Sequence, residues 1–130
     1  MTVLPRRREM KDLSKLYVIH SSPISGSLYA DAPDPKAGNG THTFVKVVDG
    51  EQVATLQFQH GPRNEPDSTP GMFDVDVLRA VADRMRHFQE GPFAHPTNEA
   101  ALRHIEDAIA HLELRTHERH FAGKLGRNIK

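Results

Sequence analysis

The chain has no cysteine in its 130 residues. That excludes a disulfide framework and a thiolate metal site, and it suits a reducing cytoplasm. Tryptophan is missing too, while Phe occurs six times and Tyr twice. These are too few rings for a platform that stacks single-stranded nucleic acid. Net charge is also lacking, because 17 Lys and Arg offset 17 Asp and Glu. No global field therefore draws the chain to nucleic acid or to anionic lipid. No apolar run approaches membrane-spanning length. The opening MTVLPRRREMKDL has charges with no apolar stretch behind them, unlike a secretory signal.

Catalytic signatures are equally scarce. There is no HExxH and no GxSxG, and GNG at Gly38–Gly40 lacks the strand–loop–helix Lys context of a phosphate loop. Ser21, Ser22, Ser25, Ser27 and Ser68 sit in turn-forming sequence. Glu106-Asp107, Asp74 and Asp76 fall where helix dipoles and solubility explain carboxylates. Nine His remain. His104, His111, His117 and His120 have helical spacings, but spacing alone names no third metal ligand. The residues assign no catalytic group, no metal site and no cofactor.

What the chain does have is periodicity. Over 96–122, Asn98, Leu102, Ile105, Ile109, Leu112, Thr116 and Arg119 recur in steps of four and three. That is the seam of one long helix packed along its length on another. Pro96 suits its first turn and Gly123 supplies a stop. A helix is predicted before it, from Asp74 as N-cap to Gln89, with Val75, Leu78, Ala82, Met85 and Phe88 or Gln89 on one face. The intervening Gly91-Pro92-Phe93-Ala94-His95 is short, so the two helices must fold back antiparallel.

Ahead of the helices, Leu16–His20 is β-prone, and 41–58 reads as a hairpin turned at Asp49-Gly50. A two-residue turn there pairs Val48 with Glu51, Val47 with Gln52, Val45 with Ala54 and Thr43 with Leu56. Val45, Val47, Ala54, Leu56 and Phe58 then share a buried face. Residues 21–40 and 59–72 read as long loops. The expected fold is α+β: a small antiparallel sheet of about three strands in the N-terminal half, then a C-terminal helical hairpin that oligomerises. It is read as one domain over 1–130, with a flexible start (1–13), a β-rich part with long loops (14–73), the hairpin (74–122) and a tail (123–130).

Arg115 and Arg119 are four residues apart near the end of the long helix. Such a pair can fork onto phosphate oxygens, or simply answer the helix dipole, and spacing leaves both open.

The motifs FQ-x-GP-x-x-E (58–65), DRMRHFQEGPFA (83–94), Asn98, AL (101–102), IE-x-A (105–108), L-x-x-RT-x-x-R (112–119) and G-x-x-G (123–126) together resemble a phage family. It is the first type of Thoeris anti-defence protein, whose helical hairpin is shared with phage anti-CBASS proteins. The resemblance runs over roughly 17–128. It implies a sponge that binds cyclic ADP-ribose signals of bacterial immunity, and in some members cyclic di- or trinucleotides, without cleaving them. It implies a homodimer or a larger homo-oligomer such as a hexamer, acting in the cytoplasm of the infected bacterial host. It also implies ligand contacts: Phe88 stacking on a base, Asn98 bonding the ligand's polar edge, Arg115 and Arg119 on the pyrophosphate, and Thr116 beside them. The sequence departs from the family pattern at His95-Pro96-Thr97, at 67–71 and at Lys124–Arg127. These departures bear on ligand choice rather than on fold.

Helix geometry adds a constraint of its own. Asn98 and Arg115 lie 17 residues apart, about 25 Å along a helix axis. One nucleotide-sized ligand meets both ends only if a second, antiparallel chain brings its Arg end to the first chain's Phe–Asn end. The rival readings are an enzyme that degrades the same signal, and a structural or protein-binding phage protein that kept the hairpin.

Overall fold

The structure is a computed structural model that describes residues 10–121. Arg6 to Arg8, Gly123 and the tail to Arg127, all noted in the sequence, lie outside the described residues. The chain forms two compact units that divide after Gly71.

The first unit is a four-stranded antiparallel meander in the order β1-β2-β3-β4. Its strands are β1 (Tyr17–Ser22), β2 (Gly26–Ala30), β3 (Thr43–Val48) and β4 (Glu51–Gln57). The expectation of a loop over 21–40 is therefore corrected, because β2 lies inside it. Ser and Gly make the chain look like coil there, yet they build the turn into the sheet. The Ser22 hydroxyl accepts from the Ile24 and Ser25 N–H groups, and the Ser21 and Ser27 hydroxyls bond across the strands at 2.9 Å. At Gly26 (φ +82°) a Cβ would lie 2.3 Å from the Val47 carbonyl oxygen, so only glycine lets β2 approach β3.

The Asp49-Gly50 turn forms as its sequence implies. Both residues have positive φ, 50° and 80°, and Val48 pairs with Glu51 and Val47 with Gln52. Beyond that the register departs from expectation. A bulge next to Lys46 and Val47 shifts β4 by one residue, so Lys46 meets Ala54, Val45 meets Thr55 and Thr43 meets Gln57. With a side-chain period of two, one extra residue moves everything after it to the other face. Val45 is fully buried, whereas Ala54 is exposed. Leu56 pairs opposite Phe44, and the Phe58 ring meets the Phe44 ring edge-on at 5.4 Å. The single apolar face expected for the hairpin is thus divided between two.

Polar groups complete this unit. Gln52 is buried because its amide both accepts from and donates to the Lys11 main chain, at 2.9 and 2.7 Å. The Asp31 carboxylate takes the N–H groups of His42 and Thr43. The rings of His42 and His60 stack at 3.9 Å and within 5° of parallel, and His60 Nε2 lies 2.8 Å from the Asp34 carboxylate. These contacts tie the segment after β2 to the segment after β4.

The second unit is a helical hairpin: α1 (Asp74–Gln89) and α2 (Pro96–Phe121). The N-cap of α1 is Phe73 rather than Asp74. The carboxylate of Asp76, at the third helical position, decides this by accepting the Phe73 N–H at 2.8 Å. Two cross-helix ion pairs fix the direction. Arg79 meets Glu113, and Arg86 meets Glu106. Seven residues forward on α1 are seven back on α2, so the helices run antiparallel. Between them, Ala82 and Leu102 are buried, and Val75, Leu78, Met85, Ile105, Ile109 and Leu112 are half-buried. Of the pair left open on α1, Gln89 turns inward and Phe88 stays exposed. The Gln89 amide clasps the main chain of His95 in both directions, at 3.0 Å each. His95 Nδ1 then accepts the Thr97 N–H, capping the first turn of α2. His95 and Pro96 therefore shape the start of the long helix. No described helix is long and apolar enough to cross a membrane.

Candidate functional site

The tight turn between the helices leaves aromatic surface uncovered. Phe88, in the last turn of α1, is 44% exposed, and Phe93 in the connection is 74% exposed. They wall a hollow of about 370 Å³ with Val81, Arg84, Met85 and Asn98. Phe88 and Asn98, ten residues apart in sequence, thus face one space. The turn achieves this by setting the third residue of α2 beside the end of α1. The hollow is apolar apart from the Asn98 amide and the Arg84 guanidinium, which lies 5.3 Å from the centre of the Phe88 ring. A planar base fits such chemistry: a ring face to stack on, and an amide to read its edge.

Beside it lies a hollow of about 450 Å³ that shares Arg84, Phe88 and Phe93 and adds Asp83 and His87. His87 Nδ1 bonds the Asp83 carbonyl oxygen at 2.8 Å. That hydrogen bond, with the carboxylates of Asp83 and Glu90, holds the imidazole above its ordinary range. Arg84, His87 and Phe93 were not among the residues predicted from sequence. An i, i+4 Arg–Phe pair on an otherwise charged helix was the available signal.

Arg115, Thr116 and Arg119 stand apart from this place. Unbroken helix separates Asn98 from Arg115, about 25 Å at helical rise. Arg115 and Thr116 are exposed and Arg119 is half-buried. The Thr116 hydroxyl bonds back to the Leu112 carbonyl at 3.1 Å. One chain therefore joins two of the five predicted contacts and leaves three at the far end of α2. Among the described residues, no three of His, Asp and Glu are placed to hold a metal ion.

Residues 53–117 match the family described as the Acb2/Tad1 hairpin domain. The chain belongs to this family. The match runs from β4 through most of α2 and takes in Phe88, Asn98, Arg115 and Thr116, while Arg119 lies just beyond it. A relative, "Thoeris anti-defense 1" of Bacillus phage SBSphiJ7, is 33% identical over 95 residues, which cover 73% of this chain. The aligned part spans 66% of that protein's length. The departures at His95-Pro96-Thr97 sit in the turn that positions Asn98 in this Acb2/Tad1 hairpin, where they act as a cap and a helix start.

Proposed function

We propose that this protein is a phage anti-defence sponge. It binds a cyclic nucleotide immune signal of the cyclic ADP-ribose type in the infected host's cytoplasm and withholds it from its effector, with no bond broken. One observation carries the reading: Phe88 and Asn98 line one hollow while the Arg pair lies a helix length away. The base of the ligand stacks on Phe88 and bonds Asn98. The pyrophosphate is taken by Arg115 and Arg119 of a second, antiparallel chain, with Thr116 beside them. A two-fold dimer makes two such sites, and larger assemblies are built by repeating it. Membership of the Acb2/Tad1 hairpin family and the name of the phage relative support the role. Stacking plus bidentate Arg contacts suffices for tight, reversible capture.

Native mass spectrometry with a panel of cyclic ADP-ribose isomers and cyclic oligonucleotides tests this. Two ligands on a dimer, or an equal ratio on a larger assembly, with the small molecule recovered intact after heating, is the expected outcome. A cleaved product would move the protein to the enzymes. A strictly monomeric protein that binds none of the panel would end the reading.

A further inference from the structure

Helix α1 carries arginines at 79, 84 and 86. Two of them are committed to the hairpin, Arg79 to Glu113 and Arg86 to Glu106. Arg84 has no carboxylate partner among the described residues. Its guanidinium rests instead on the Phe88 ring, 5.3 Å from the centre. Stacking of this kind fixes the planar fork while leaving its N–H donors unspent. In the larger hollow it shares the wall with His87. The His87 Nδ1 is used by the Asp83 carbonyl, so Nε2 is the ring nitrogen left to meet a ligand. When the imidazole is protonated, two nitrogen donors thus stand beside the same ring on which a base would stack.

We infer that this second hollow is an anion subsite: Arg84, helped by His87, takes a phosphate of the nucleotide whose base lies on Phe88. The assignment deepens the sponge reading and rests on it. It places a cation on the same chain as the stacking ring, so each ligand is gripped by phosphate contacts from both chains. The other charged groups close to His87 are Asp83, Glu90 and Arg86 on or just after α1. The remaining wall, Gly91, Pro92 and Phe93, is uncharged.

Isothermal titration of each cyclic ADP-ribose isomer into the full chain, at two salt concentrations, decides it. For an isomer that the unaltered chain binds, Arg84→Ala should weaken binding about tenfold or more and flatten the dependence on salt. Arg84→Lys should restore the salt dependence and part of the affinity. His87→Asn should remove any loss of affinity between about pH 6 and 8. If Arg84→Ala leaves affinity and salt dependence unchanged while Phe88→Ala abolishes binding, the subsite is wrong and the sponge stands. If the loss in Arg84→Ala tracks a change in assembly mass, Arg84 is an assembly contact and the subsite is overturned. If the unaltered chain binds no isomer, the subsite is overturned, and if it binds no cyclic oligonucleotide either, the sponge reading falls with it.

Discussion

Single residues hold this molecule at a few crowded points. Leu102 is 6% exposed between the helices. Leu102→Ala should cost about 2–4 kcal/mol in urea unfolding, since it removes buried methyls from a thin core. Leu112, on the same seam, is only half-buried, so its truncation should cost clearly less. Gly26→Ala should be worse than its size suggests, because the new Cβ meets the Val47 carbonyl in a backbone conformation that favours glycine. Its signature would be loss of amide protection in β2 and β3 while α1 and α2 stay protected. These residues differ in legibility. Leu102 was visible from the four–three spacing, whereas Gly26 looked like loop glycine until its neighbour strand was in place.

At the scale of elements, the helical hairpin was the most legible part. Its two helices, their antiparallel run and the Pro96 start follow from spacing and a short connection, and the structure shows each. The sheet was less so. The bulge beside Lys46 and Val47 leaves no compositional mark, and it reversed the faces of Ala54, Leu56 and Phe58 relative to Val45. The missing strand β2 was hidden by serines that serve a turn. The C-terminal turn of α1 also carries a pH effect. The Asp83 carbonyl bond, with Asp83 and Glu90 nearby, raises the His87 value above its ordinary 6.5. A raised histidine stabilises the fold fully below the unfolded-state value, and the gain is lost as pH rises through the folded value. The melting temperature should therefore fall across that window, and His87→Gln should flatten the change. At the other end of the scale, the His60 contact lowers the Asp34 carboxyl below its ordinary 3.8. That contribution is complete above 3.8 and fades as pH falls through the lowered value.

For the whole molecule the governing fact is how little the described residues bury. Among the described residues the buried apolar side chains are Ala30, Val45, Ala82 and Leu102. Meanwhile Val81, Phe88, Phe93 and Leu114 remain exposed on the hairpin. So thin a core gains much by association, and a second chain supplies it in the proposed sponge. Stability should then depend on protein concentration: the midpoint of thermal unfolding should rise as the chain is concentrated. Arg119→Ala should strip most ligand affinity while sedimentation shows the assembly unchanged.

Sequence alone determined the class of fold, the helical hairpin and the absence of thiol chemistry, because each rests on composition or on short-range periodicity, while the family came from the resemblance of its motifs. Tertiary structure decided which sheet face each strand residue occupies, since a bulge is settled by the neighbouring strand. It also decided that Phe88 and Asn98 share a hollow with Arg84, since a turn only a few residues long sets one helix end against the next. The sequence could measure the distance from Asn98 to Arg115. Only folding could show which aromatic side chains that distance leaves uncovered.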